Sequence, residues 1–137
     1  MMRTEPELLG DMSRSAKIRD ALQLAEAQLR EAIRACTDGR DEVMADAVWR
    51  SASEMEYLMF LLSLARGEKN DPWKKRRIPR AKTIVESLRH AEEQLTEAIA
   101  NAEDPDVVYR LVWQARGHAL LVQRKLNTAL TRRLRRS

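Results

Sequence analysis

Cysteine is nearly absent: Cys36 stands alone in 137 residues, which excludes an internal disulfide framework and suits a reducing, cytoplasmic setting. Four Gly and four Pro leave little material for turns, and six aromatic side chains are too few for a sandwich or barrel. The longest apolar run, Tyr57 to Leu62 and on through Ser63 to Ala65, is nine residues, well short of the roughly 20 that a membrane-spanning helix needs. The opening MMRTEPELLG holds two glutamates and no apolar stretch, so no secretory signal is expected.

Catalytic and metal-binding patterns are missing too. The two histidines, His90 and His118, do not belong to a Glu-x-x-His pair of the kind that lines di-iron bundles. Glu86 and His90 share a helical face at a spacing of four, which reads as an exposed ion pair. Arg116-Gly117-His118 is too closely spaced for the arginine, polar spacer and histidine of HEPN-type ribonucleases. No Gly-rich phosphate loop, nucleophile elbow or paired buried carboxylates can be named. The expectation is a chain that is not an enzyme and has no cofactor, metal or small-molecule substrate.

What is present is helical. With 44% hydrophobic and 34% charged residues the composition is that of one globular domain. At this length about 68% of the extended chain's surface is buried on folding, enough for a core without staples. Sliding the chain against itself by 66 residues lays LQLAEAQLREAI (Leu22 to Ile33) over LRHAEEQLTEAI (Leu88 to Ile99), with eight of twelve positions identical. At an offset of 64, Val43, Val48, Trp49, Leu62 and Ala65 fall on Val107, Val112, Trp113, Leu126 and Ala129. The equivalent tryptophans favour an internal duplication.

Each half reads as two helices. Ile18, Leu22, Ala25, Leu29, Ala32 and Cys36 step by four and three, and Ile84, Leu88, Ala91, Leu95, Ala98 and Ala102 repeat that stripe. The second helices carry Met44, Val48, Ser51, Met55, Leu58, Leu62, Ala65 and Val108, Val112, Ala115, Ala119, Val122, Leu126, Ala129. This is the seam of bundle packing, in which small residues admit neighbouring helices. Asp38-Gly39 can end the first helix and Asp41 can cap the second, while Asp104-Pro105 pairs a capping side chain with a first-turn proline. The predicted fold is all-α, a four-helix bundle built from two tandem, duplicated αα-hairpins. Helices are expected near 15–36, 41–66, 80–101 and 105–133. Residues 1–14 form an extension, 15–66 the first hairpin, 67–79 a linker, and 80–137 the second hairpin within the same globular domain.

Charge is unevenly placed. Lys74, Lys75, Arg76, Arg77, Arg80 and Lys82 put six cations in nine residues without an acid, and Arg132, Arg133, Arg135 and Arg136 put four in the last seven. Without those ten, 15 basic residues face 21 acidic ones, so two cationic clusters sit on an acidic body. In WKKRRIPRAK, Trp73 adjoins the cationic run, a pairing suited to phosphate neutralisation and base stacking. The structural alternative has Trp73 plugging the end of the bundle while the cations solvate a linker and complement the last helix dipole.

The second helix is apolar almost all round between Tyr57 and Ala65, and Met59 and Phe60 lie off its seam. Either the linker folds over them or Tyr57, Met59 and Phe60 meet another chain. Trp49, Trp113 and Tyr109 also exceed what four seams hide. Two functions follow as expectations. One is a subunit of a nucleoprotein assembly that contacts RNA or DNA backbone through both clusters and homo- or hetero-oligomeric partners through the second helix. The other is a protein-only adaptor or oligomerisation module.

Overall fold

Four helices form where apolar residues recur at steps of three and four: α1 Thr4–Thr37, α2 Asp41–Arg66, α3 Ile84–Ala100 and α4 Pro105–Arg136. A single 3-10 turn, Pro72–Lys75, interrupts the connection between α2 and α3, and the described residues contain no strand. The computed structural model describes residues 4–67, 69–78 and 81–136, with side chains described from Arg14 to Arg135 within those ranges. None of the described helices is long and apolar enough to cross a membrane.

Local chemistry sets the boundaries. After α1 the chain reverses at Gly39, whose φ of 72° lies in the left-handed region. Arg40 N–H then donates to Ala35 O at 2.8 Å and Gly39 N–H to Cys36 O at 3.3 Å, the paired bonds of a Schellman ending. Asp41 does not cap α2 as expected; Arg40 holds the cap position without a side-chain bond. Asp41 lies in the first turn and pairs with Arg133 at 3.1 Å. Asp104 does cap α4, its Oδ1 accepting from the N–H groups of Asp106 and Val107. The start of α3 is at Ile84 rather than residue 80, because Thr83 Oγ1 accepts from Glu86 N–H and Glu86 reaches back to Lys82 N–H.

The apolar stripes meet in one core. Leu22, Leu29, Met55, Leu58, Leu62, Leu88, Leu95, Val108, Val112 and Val122 are fully enclosed. Truncating a leucine of this set to alanine would cost about 2–5 kcal/mol. The buried Ser51 hydroxyl, in the α2 seam, donates to Ala25 O at 2.9 Å and ties α2 to α1. The stripes fail at their ends: Ala65 and Ala129 are exposed and Ala102 is half-buried.

α1 packs on α2 and α3, and α4 packs on α2 and α3, while the two diagonal pairs do not touch. Arg30 faces Glu92 and Glu26 accepts from Thr96, so α1 and α3 run antiparallel. Arg66 faces Asp106 and Arg133 faces Asp41, so α2 and α4 do as well. Every neighbouring pair is therefore antiparallel, and the parallel pairs lie on the diagonals. The connection from α2 to α3 joins one such diagonal, so it must travel back along the bundle before α3 can begin.

Candidate nucleic-acid interface

The returning connection is anchored at its first step. The Arg66 guanidinium donates through Nη2 to Asp71 Oδ1 at 2.6 Å, through Nη1 to Asp71 Oδ2 at 3.2 Å and through Nε to Asp106 Oδ1 at 2.7 Å. It also lies 4.1 Å from the Tyr109 ring centroid, and only 5% of its side chain is exposed. The hydrogen bond from Arg66 holds the Asp71 carboxyl below the usual carboxylate range, and those from Lys69 and Arg66 do the same for Asp106. A planar, bidentate guanidinium suits this site, because one side chain spans the end of α2, the linker and the start of α4.

From there the linker runs along α4. Trp73 sets its ring edge-on to Tyr109 at 5.9 Å and to Trp113 at 6.0 Å. Lys74 turns inward: its Nζ donates to Tyr109 Oη at 2.8 Å, lies 3.7 Å from Asp71 and sits 4.8 Å from the Trp113 ring centroid. Farther on, Ile78 lies in the gap left by Gly117, where a Cβ at position 117 would stand 1.8 Å from Ile78 Cδ1. Asp106 and Gly117 are about 16 Å apart along α4, and the linker follows that stretch. Trp73 thus packs on the flank of α4 rather than plugging the end of the bundle, and it hides Tyr109 and Trp113, which sequence reasoning left uncovered.

The linker's charges divide. Trp73 and Lys74 are taken up by packing, whereas Lys75, Arg76, Arg77 and Lys82 are exposed and form no ion pair among the described residues. Arg132, Arg133 and Arg135 are exposed on the last turns of α4, with Arg133 held by Asp41. Arg80 and the side chain of Arg136 lie outside the described residues.

Sequence reasoning missed a longer feature. From Val107 to Ser137 no acidic residue occurs, and Arg110, Arg116, Arg124 and Lys125 join the four terminal arginines. At 100° per residue Arg110, Arg124 and Arg135 fall within about 40° of one another on α4. Arg116 is spent inside, donating to Met59 Sδ at 3.3 Å and pairing with Glu56 at 3.3 Å. The acid-free run was the signal that could have exposed this face.

Two clefts flank the linker. One of about 630 Å³ lies over α4, with Arg76, Arg77 and Arg124 beside Leu120 and Leu121. The other, about 360 Å³, lies among the linker, α3 and α4 and is lined by Arg76, Arg77 and Arg110 together with Gln94, Gln114 and His118. No carboxylate lines either one. His118 is 3% exposed and its ring stacks on His90 at 5.4 Å. Burial, then the neighbouring His90, pushes its pKa below the usual value. His90 stands 4.0 Å from Glu93 and not in the expected pair with Glu86. Among the described residues no group of three or more His, Cys, Asp or Glu could hold a metal ion.

The outer face of α2 carries the other candidate surface. Phe60 is 60% and Trp49 61% exposed, and Tyr57 and Leu64 continue the same stripe. Met59 does not belong to it: one residue earlier and about 100° round the helix, it is buried at 9% exposure beneath Arg116. The linker covers α4, not this face. No family model matches the chain, and neither a curated protein nor a solved structure does.

Proposed function

We propose that this chain is a non-enzymatic helical subunit of a nucleoprotein assembly, with the linker and the outer face of α4 against a phosphate backbone. The observation that carries the reading is the acid-free cationic face: Arg76 and Arg77 of the linker line clefts on an α4 that bears Arg110, Arg124, Arg132 and Arg135, and Lys75 is exposed next to them in the chain. Side chains of one sign beside carboxylate-free clefts attract a polyanion and release its counterions. Partner chains, copies of this one among them, meet the Trp49, Tyr57, Phe60 and Leu64 stripe of α2. The two hairpins descend from a duplicated ancestor, a reading supported by the eight shared positions of α1 and α3. In it Trp49 and Trp113 have diverged: one looks outward and the other lies under Trp73.

Fluorescence anisotropy of labelled RNA and DNA, at low and moderate salt, tests the reading. It expects binding at low salt that weakens steeply as salt rises. Without any binding at low salt, the protein-only adaptor is the function. One observation favours that alternative: the cluster is partly consumed internally, with Lys74 on Tyr109 and Trp73 packed against α4.

A further inference from the structure

The smaller cleft has more built into it than a cationic surface needs. Gln94 Nε2 faces Gln114 Oε1 at 3.4 Å across the α3/α4 seam. Gln94 Oε1 and His118 Nδ1 are buried and have no hydrogen-bond partner. A buried polar atom left in this way costs about 1–3 kcal/mol, so these two orphaned atoms, with Gln114 beside them in the lining, point to an occupant with hydrogen-bonding edges. Trp73, Trp113 and Ile78 supply apolar wall. Arg76, Arg77 and Arg110 supply guanidinium groups, suited to an oxyanion and unsuited to a cation. A volume of about 360 Å³ lies at the small end of the roughly 300–1,000 Å³ that ligand sites occupy. Inorganic phosphate would engage the arginines and leave the amides and tryptophans unused. A purely apolar ligand would bury the amides and the histidine unpaired.

We propose that this cleft receives one nucleotide, its phosphate on Arg76, Arg77 and Arg110 and the edge of its base on Gln94, Gln114 and His118. The inference deepens the nucleic-acid reading and rests on it: the occupant is an unstacked nucleotide of the bound strand, which single strands present and duplexes do not. Recognition by amide and imidazole groups would add a preference for single strands to an otherwise sequence-blind backbone interface.

The test titrates the full chain with each of the four nucleoside monophosphates, with the nucleosides and with inorganic phosphate, following the emission of Trp73 and Trp113. In parallel it measures the affinity of a single-stranded oligonucleotide, of its abasic counterpart and of a duplex. The expected result is a saturable change with a monophosphate that phosphate does not reproduce. Gln94→Leu and Gln114→Leu should each weaken that binding about tenfold, weaken the single strand similarly, and leave duplex affinity and salt slope unchanged. The abasic strand should bind the wild type as the intact strand binds the variants. Arg110→Gln, at an exposed position, repeats the monophosphate test without touching the core.

Four outcomes separate the two ideas. Phosphate binding as tightly as the nucleotides overturns the cleft proposal. So does strand binding that neither glutamine variant alters, although the nucleic-acid reading survives. Monophosphate binding without strand binding supports the cleft with free nucleotide as its source and ends the nucleoprotein reading. No binding of either overturns both.

Discussion

Gly117→Ala probes the docking of the linker onto α4 through two opposing effects. Position 117 is inside a helix, where replacing glycine by alanine is worth about 1 kcal/mol. The new Cβ would stand 1.8 Å from Ile78 Cδ1 and 3.3 Å from Cγ1, so the isoleucine must leave its seat. Ile78 is half-buried, and full burial of such a side chain is worth about 1.5–3 kcal/mol, so eviction costs about 1 kcal/mol. The two effects nearly cancel: Gly117→Ala should leave the urea midpoint almost unchanged. In an Ile78→Ala background no side chain remains to evict, and the same substitution should stabilise by about 1 kcal/mol. Equilibrium unfolding of the four proteins closes the cycle, with an expected coupling of about 1 kcal/mol. Amide exchange across residues 73–78 should quicken in Gly117→Ala although global stability hardly moves. Equal stabilisation by Gly117→Ala in both backgrounds would refute the docking of Ile78 against Gly117.

The remaining expectations concern pH, association and salt. Because burial lowers the pKa of His118, the unfolded chain takes up a proton near pH 6.5 that the folded chain resists. Stability should be full above that pH and fall below it, by at most about 1.4 kcal/mol per pH unit, and His118→Leu should flatten this limb of a urea-stability series; an unaltered limb would contradict the assignment. Phe60→Glu should dissociate assemblies in light scattering with the helical spectrum intact, whereas Met59→Glu, under Arg116, should unfold the bundle; a wild type monomeric at micromolar concentration removes the basis for the first. Neutralising Arg76, Arg77 and Arg124 should flatten the logarithmic salt dependence of strand binding by about 0.7 per lost contact for single strands, while Lys74→Met lowers stability and leaves the slope alone. A slope that responds equally to Lys74 would place its ammonium on the phosphate instead of on Tyr109.

The four helices, their seam residues and the turns at Gly39 and Asp104 were legible in the sequence because they depend on neighbours within four residues, whereas α1 begins at Thr4 and not near residue 15, taking in most of the expected N-terminal extension, and the Thr83 cap that starts α3 went unread. The stripe from Leu22 to Ala32 and its echo from Leu88 to Ala98 follow from a 3.6-residue period, and Gly39 and Asp104 act within their own turns. The basic character of the linker and the α4 terminus was legible as composition, and so was the acid-free run of α4 that went unread. What each cation does was not. Lys74 and Arg77 are alike in a string of letters, yet one is drawn onto Tyr109 and the other left in solvent, because Lys74 lies in the 3-10 turn that carries Trp73 against α4 and Arg77 lies beyond it.

Tertiary structure alone decided the course of the linker and what it covers. Trp49 and Trp113 fall on one another when the sequence is shifted by 64 residues, but the diagonal connection passes over α4 and not over α2, so one ring is half-buried against Trp73 and the other stays outside. Met59 and Phe60 are neighbours in sequence and part company for a similar reason. One faces α4 beneath Arg116 and the other points away from every helix. A helical period specifies which residues share a face. Only the packing of four antiparallel neighbours, and the return path that packing forces on the chain, specifies which faces are covered.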